Sequence, residues 1–128
     1  MSKKKKEGGG FKLFKQKIKP SDVVIFSKQF ATMVKAGLPI LNVLGMLRDQ
    51  MEHAELKKIV EEIRKNLEGG LTLSKCFEKY PDIFDNVYIN LIKAGEASGK
   101  LDVFLMKLVE SLEKREKVKK KIKSALTY

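Results

Sequence analysis

Apolar residues recur three and four positions apart through most of the chain, and glycine or proline interrupts this spacing repeatedly. Such spacing gathers apolar side chains on one face of an α-helix, whereas a half-buried strand needs apolar and polar residues in alternation. No segment shows a sustained alternation of that kind. The sequence therefore predicts an all-α fold, a compact antiparallel bundle of about six helices with a long basic helix at its C-terminal end.

Capping and helix-ending residues divide the pattern into predicted helices. Ser21 and Thr72 are suited to cap helix N-termini, and Gly37 and Gly95 are suited to end helices in the left-handed conformation. Pro39 fits the first turn of the helix that follows the corner at Gly37. The helices are predicted at residues 21–37, 40–51, 56–69, 72–80, 83–95 and from 101 onward.

The positive charge of the chain is concentrated at its two ends. The formal net charge is +11, and most of it comes from the lysines of residues 1–20 and from a second basic cluster at 114–123. Residues 1–20 are predicted to be a flexible basic arm, and residues 21–128 are predicted to form the helical domain. Basic clusters attract both nucleic-acid phosphates and anionic lipid headgroups, so charge alone leaves both partners open.

Two further features bear on a membrane. Phe11, Leu13, Phe14 and Ile18 alternate with lysines, which fits either a short amphipathic helix at a membrane surface or a tethered arm, and the sequence alone favours the arm. No apolar stretch reaches the roughly 18 to 20 residues that a helix needs to cross a bilayer. The chain as it stands is therefore predicted to be soluble.

The residue types that carry catalysis or bind metals are nearly absent. The chain has one histidine, His53, and one cysteine, Cys76, and their separation matches no metal-ligand or nucleophile pattern. His53 is predicted to be an exposed surface residue, and Cys76 a small buried apolar residue. No base, nucleophile or metal set is present, so the sequence predicts no enzyme activity and no cofactor.

Residues 95–100 superficially resemble a phosphate-binding loop. That motif needs four residues between its glycines and a serine or threonine after its lysine, whereas here three residues separate Gly95 from Gly99 and a leucine follows Lys100. The segment is instead predicted to be a helix corner, with Gly95 as the C-cap and Ser98 or Gly99 as the next N-cap. Capping does not explain Glu96, which remains open as a solvated residue, a partner contact or part of a weak cation site.

Several motifs occur together in one order along the chain. A Phe-Ser-Lys-Gln-Phe-Ala run begins at residue 26 and leads to Ala-Gly-Leu-Pro at 36–39. It is followed by a glycine pair at 69–70, Tyr-Pro-x-x-Phe at 80–84 and Ala-Gly-Glu-x-Ser-Gly-x-Leu at 94–101. Together they resemble the inner-membrane platform proteins, the F-type family, of bacterial type II secretion and type IV pilus assembly. Lys28 and Phe30 stand where that family more often has arginine and leucine.

The resemblance covers about residues 21–128 and implies a function. It implies one of two similar cytoplasmic domains of a polytopic protein at the cytoplasmic face of the bacterial inner membrane, ending just before the first membrane span. Such a domain is expected to act as a scaffold for the assembly ATPase and other inner-membrane assembly components, with homodimerisation left open and no specific nucleic acid bound. Motif residues that the resemblance marks for protein interaction are Gln29, Gly37, Pro39, Gly95, Glu96, Ser98 and Gly99.

The resemblance also gives the C-terminal lysines a role. Lysines on the cytosolic side of a span favour that orientation and attract anionic lipid. The residues expected near the membrane are Lys119, Lys120, Lys121 and Lys123. The alternative function, a non-specific nucleic-acid-binding helical protein, rests on the net charge alone.

Overall fold

The computed structural model describes residues 17–127, and within them it contains six helices and no strand. The all-α prediction is confirmed. Most of the predicted basic arm, residues 1–16, lies outside the described residues, as does Tyr128. The helices are α1 (Pro20–Lys35), α2 (Ile40–Gln50), α3 (Ala54–Glu68), α4 (Leu73–Glu78), α5 (Asn86–Ser98) and α6 (Leu101–Thr127).

Short connections make successive helices reverse direction, which gives the bundle two distinct ends. α6 packs on both α1 and α5, and α2 packs on α3. One end, here called the arm end, contains residues 17–19, 51–53 and 81–85. At the other, here called the glycine end, α1, α3 and α5 terminate and α2, α4 and α6 begin. α6 then runs back to the arm end and continues past it.

Phe77 lies at the centre of an aromatic cluster that joins α1, α4 and α5. Its ring centroid is 4.7 Å from that of Phe84, 5.6 Å from that of Tyr88 and 6.1 Å from that of Phe30, and its side chain is fully buried. An isolated six-residue helix is not stable in water, so α4 depends on this packing. Phe77 is thus the anchor of the shortest helix.

One polar pair lies inside this core. The hydroxyl groups of Ser27 and Tyr88 are 2.6 Å apart, and both residues are buried. Burial raises the pKa of Tyr88, so the phenol stays protonated and each hydroxyl has a hydrogen-bond partner. The pair therefore fixes α1 against α5 without leaving a buried polar group unsatisfied.

Three helices end at the glycine end in the same way, each with a glycine in the left-handed conformation. The φ angles are 91° at Gly37, 108° at Gly70 and 74° at Gly99. In each case the next backbone N–H reaches back five residues to a helix carbonyl, which satisfies one of the last unpaired C=O groups. These bonds are Leu38 to Met33 (3.3 Å), Leu71 to Asn66 (3.1 Å) and Lys100 to Gly95 (3.1 Å).

The prediction that Gly95 ends a helix is wrong. α5 continues through Gly95 to Ser98, and Gly99 is the left-handed residue. Gly95 is buried because α6 passes directly over it: an added Cβ would lie 2.9 Å from the Cα of Leu101. Glycine is needed at this position for close packing of two helices. Lys-Ala-Gly occurs at residues 35–37 and again at 93–95. Only the first of these segments lies at a helix corner.

Two helix starts also differ from prediction. α1 begins at Pro20, one residue before the expected cap Ser21, and Asp22 accepts a hydrogen bond from the backbone N–H of Lys19 at 2.8 Å. Proline is favoured there because its fixed φ suits the first helical position. α5 begins only at Asn86, since Asp85 caps it by accepting from the Tyr88 N–H at 3.0 Å.

His53 is not the exposed surface residue that the sequence predicts. Its side chain is only 14% exposed, and its Nδ1 accepts a hydrogen bond from the backbone N–H of Leu56, which makes it the N-cap of α3. The N-cap predicted for α4 is present, because the Thr72 hydroxyl accepts from the N–H of Lys75 at 3.3 Å.

An ion-pair network joins α2 to α3. The Glu61 carboxylate accepts from Arg48 at 2.6 Å and from two nitrogens of Arg64 at 3.0 Å. All three side chains are about three-quarters buried. The hydrogen bonds from Arg64 and Arg48 lower the pKa of Glu61 to about 2, so this carboxylate stays charged in mild acid.

The glycines of α5 and α2 give a matched pair of tests. Gly95→Ala is expected to lower the free energy of unfolding by about 1 to 3 kcal/mol, because the methyl group collides with the α6 backbone. Gly45→Ala, in the interior of α2, makes only ordinary van der Waals contact with the side chains of Arg48 and Arg64 and is expected to raise the free energy of unfolding by up to about 1 kcal/mol. Urea unfolding of both variants checks the signs, and two changes of the same sign would contradict this packing.

The Glu61 network predicts a specific dependence of stability on pH. Because folding lowers the pKa of Glu61 from 4.5 to about 2, its contribution is present above pH 4.5 and is lost as pH falls towards 2. Between pH 5 and pH 2, the free energy of unfolding of the wild type should therefore fall by on the order of 1 kcal/mol more than that of Glu61→Gln. Unfolding midpoints at several pH values measure this difference. Glu110→Gln, on an exposed carboxylate of α6, is the control and should follow wild type.

Candidate interaction surfaces

The predicted interaction residues do not form a single site. Gly37, Pro39, Ser98 and Gly99 lie at the glycine end, where helices are joined. Gln29 is exposed on the side of α1. The basic C-terminal residues lie on the part of α6 that extends beyond the bundle; they are Lys119, Lys120, Lys121 and Lys123.

Glu96 forms hydrogen bonds within the fold. Its Oε1 accepts from the Ser74 hydroxyl at 2.7 Å, and its Oε2 accepts from the Ser74 backbone N–H at 3.1 Å. Ser74 is buried in the first turn of α4, where backbone N–H groups have no partner within the helix and a negative charge is favourable. The carboxylate of α5 therefore stabilises the start of α4.

Ser98 and Gly99 together shape the corner between α5 and α6. The Ser98 hydroxyl donates to the Gly95 carbonyl at 3.4 Å and accepts from the Lys100 backbone N–H at 3.2 Å. Gly99 supplies the left-handed turn. These motif residues position two helices, and the corner shows no phosphate-loop geometry because it joins helix to helix.

Three leucines at the glycine end are exposed, and we call them the leucine patch: Leu38 (40% exposed), Leu41 (36%) and Leu71 (37%). Arg48 contacts Glu61, and Gly45 lies against Arg64, which sets the antiparallel register of α2 and α3. Leu38 precedes α2 and Leu71 follows α3, so both lie in connections at the glycine end. The patch is thus an apolar surface beside the motif corner at Gly37.

Gln29 lies on the wall of a groove between α1 and the C-terminal end of α2. Ile25, 59% exposed, and Met51 line the same groove, together with the arm-end residue His53. No side-chain hydrogen bond to Gln29 is found among residues 17–127. Its amide is therefore available to a partner.

The C-terminal half of α6 extends from the arm end as a basic amphipathic helix. No side chain from residue 113 to residue 127 is buried, and this segment is about 22 Å long. Val118, Ile122 and Leu126 follow one another four residues apart and are 53%, 55% and 81% exposed. Lysines occupy most of the positions between them.

Two ion pairs hold α6 where it leaves the bundle. Arg115 contacts the second oxygen of Asp85, the α5 cap, at 3.1 Å, and Lys28 of α1 lies 3.3 Å from Glu113. Both pairs are exposed, so each adds little stability. Their contribution is to fix the direction in which the helix projects.

The described residues hold no group of three or more side chains arranged to bind a metal ion. Cys76 is fully buried, and burial raises the pKa of its thiol, which agrees with the predicted apolar role. No helix between residues 17 and 127 is long and apolar enough to cross a membrane.

The contact between Glu96 and Ser74 predicts coupled effects on stability. Glu96→Ala and Ser74→Ala are each expected to lower the free energy of unfolding by about 1 kcal/mol, and the double variant should lose less than the sum. Chemical denaturation of the four proteins measures this coupling. Glu110→Ala, also exposed and helical, should change stability little. Additive losses would show that the two side chains act separately.

Comparison with known proteins identifies a family for this fold. The sequence model of type II secretion system (T2SS) protein F matches residues 26–128. The type IV pilus assembly protein PilC of Thermus thermophilus is 43% identical over 107 residues, which are 84% of this chain and 26% of that protein.

Two further relatives are named for different machines, one for type IV pilus assembly and one for type II secretion. PilC of Myxococcus xanthus is 40% identical over 111 residues, 87% of this chain and 27% of that protein. Type II secretion system protein F of Vibrio cholerae is 32% identical over 115 residues, 90% of this chain and 28% of that protein. The chain thus spans between a quarter and a third of the length of these relatives. It belongs to the type II secretion system protein F family.

Proposed function

We propose that this chain is a cytoplasmic scaffold domain of an inner-membrane platform protein, and that it docks the ATPase of a secretion or pilus assembly machine. Relatives named for pilus assembly and for type II secretion support the assignment to such a machine. In this proposal the domain acts by binding other components and not by catalysis. Relatives of both kinds are 32% to 43% identical over most of the chain, so the proposal covers either machine.

The separation of the leucine patch from the projecting part of α6, at opposite ends of the bundle, supports an orientation for the domain. The leucine patch lies at the glycine end, and the basic part of α6 leaves the bundle at the arm end. α1 spans the bundle between these ends and has 16 residues, which corresponds to about 24 Å. A membrane at the basic end leaves the leucine patch facing away from the bilayer, accessible to a cytosolic partner. This separation is the observation that carries the proposal.

The Gln29 groove provides a second contact surface. It lies on the side of the bundle, apart from both the leucine patch and the projecting helix. Its free amide and exposed Ile25 suit another assembly component or a second copy of the domain. In the proposed orientation, a contact here is compatible with ATPase docking at the glycine end.

The alternative function, non-specific binding of nucleic acid, makes a different prediction. Its motivation is the exposed lysine-rich segment of α6 together with the net charge of +11. It requires steeply salt-dependent DNA binding by the helical body. Removing residues 1–20 separates the two functions. If DNA binding is lost on removal, it came from the arm and not from the helical body, which would argue against the alternative.

The leucine patch gives the direct test of docking. Leu38→Asp combined with Leu71→Asp is expected to weaken binding of the cognate ATPase by about tenfold or more, since charge replaces exposed apolar contact area. The control is Val87→Asp, which changes an apolar residue near the arm end that is 47% exposed, somewhat more than either leucine. Affinity is measured with the full-length protein in detergent or lipid. Unchanged binding by the double variant, with helical content preserved, would contradict docking at the glycine end.

A further inference from the structure

The Gln29 groove continues along α1 and α2 into a second hollow. The groove has a volume of about 370 Å³ beside Ile25 and Met51. The second hollow, here called the Met33 hollow, has a volume of about 380 Å³ beside Met33. Gln29 and Gln50 line both spaces, so the two glutamines stand where the spaces meet. Together the spaces form one elongated surface between two neighbouring helices.

The floor of this surface is apolar. Phe26 and Leu47 line the groove, are each 1% exposed and belong to the core. Ile25 lies beside them and is 59% exposed, while Met33 and Met51 are partly buried against the same core. Methionine side chains adapt to apolar groups of different shape. The groove and the Met33 hollow therefore each provide a site for one apolar side chain of a partner.

Two exposed glutamines separate these apolar sites. No side-chain hydrogen bond to Gln29 or Gln50 is found in the part of the chain that the structure describes. An amide side chain carries both donors and an acceptor, and an extended peptide backbone leaves groups of both kinds unpaired. A helix has already paired its own backbone N–H and C=O groups. The glutamines are therefore suited to the backbone of an extended segment.

The spacing of the two apolar sites agrees with an extended segment. α1 lines the groove with residues 22–29 and the Met33 hollow with residues 28–33. The centres of these ranges are about five residues apart, which corresponds to about 7.5 Å along the helix axis. In an extended chain, side chains two positions apart point the same way and are about 7 Å apart. Two such side chains can enter the two sites together.

The groove is acidic at the arm end, although the chain has a net charge of +11. Asp22 and Glu52 line it, whereas no lysine or arginine among residues 17–127 does. Asp22 is partly occupied within the fold, since it accepts from the Lys19 backbone N–H at 2.8 Å and lies 3.7 Å from His53 Nε2. Glu52 is exposed. This end of the groove therefore favours a lysine or arginine and disfavours an acidic ligand.

We propose that the Gln29 groove and the Met33 hollow together bind an extended segment of another assembly component. The segment carries two apolar side chains, two positions apart, and a lysine or arginine beside the one that enters the groove. Gln29 and Gln50 hydrogen-bond to its backbone, and Asp22 and Glu52 attract its basic residue. This inference rests on the proposed function only in that the groove is the second contact surface named there.

Selection of random peptides tests the chemistry of this ligand. Short random peptides displayed on phage are selected on the 128-residue chain and then depleted on its Ile25→Asp variant, which leaves the peptides that depend on the groove. The remaining peptides are expected to carry a lysine or arginine and two apolar residues two positions apart. Recovery of no such peptide, or of acidic peptides, would overturn the proposal. Apolar residues three or four positions apart would indicate a bound helix and would also overturn it.

The glutamines provide a test that is independent of this selection. The affinity of one selected peptide, made synthetically, is measured by fluorescence anisotropy. Gln29→Ala combined with Gln50→Ala is expected to weaken binding severalfold, because the peptide backbone loses its hydrogen-bond partners. The matched control, on exposed amides elsewhere, is Asn42→Ala combined with Asn90→Ala. Unchanged affinity in the glutamine variant, or equal loss in the control, would overturn the proposed backbone contact.

Charge reversal tests the acidic end of the groove. Glu52→Lys is expected to weaken binding of the same peptide severalfold at low salt and less at high salt, because this carboxylate is exposed. Glu110→Lys makes the same change of charge on α6 and should leave the affinity close to wild type. Equal losses in the two variants would show a response to net charge alone and would contradict the proposed contact.

Two further measurements separate this inference from its alternatives. Sedimentation of the chain alone detects a dimer, and a dimer that Ile25→Asp dissociates would show that a second copy fills the groove and would overturn the proposal. ATPase affinity of the leucine-patch variants reports on docking separately. Loss of docking with peptide binding retained would contradict only the proposed function, and the reverse result would contradict only this inference. Circular dichroism confirms that each variant remains helical.

Discussion

The packing of Phe77 into the aromatic cluster is the interaction on which the rest of the structure depends. α4 is too short to fold alone, so it is held by this side chain and by the bond from Glu96 to Ser74. The same cluster fixes α1 against α5, with Ser27 and Tyr88 as the polar contact inside it. Burial of these large aromatic side chains contributes to the driving force for folding, and the polar contact aligns the helices.

The presence of the helices and some of their ends could be predicted from local patterns, because spacing and capping are local properties of the sequence. Gly37 and Thr72 act as expected, since a left-handed corner and a hydroxyl cap each need only a few neighbouring residues. Gly95 could not be assigned correctly in this way. Its glycine is required by the passage of α6 over α5, and that close approach is a tertiary contact which spacing along one helix does not reveal.

The contacts of Glu96 and His53 also could not be predicted from local patterns, because their partners are distant along the chain. Glu96 bonds to Ser74, which is 22 positions away, and His53 Nε2 lies 3.3 Å from the Lys17 carbonyl oxygen, 36 positions away. Neither partner is identifiable without the fold. The family resemblance marked Glu96 as a motif residue, and in the structure its carboxylate stabilises the start of α4 through Ser74. An exposed motif residue can therefore serve packing as well as partner binding.

The domain has two different ends, and the proposed function depends on their orientation relative to the bilayer. Cys76 is buried, so single cysteines introduced at Leu38 and at Lys119 can be labelled selectively with a fluorophore in a full-length protein whose cysteines outside these 128 residues are replaced by serine. Quenching by a headgroup-attached quencher in reconstituted membranes measures their proximity to the surface. The proposed orientation predicts strong quenching at Lys119 and little at Leu38. Equal quenching at both sites, or stronger quenching at Leu38, would contradict it.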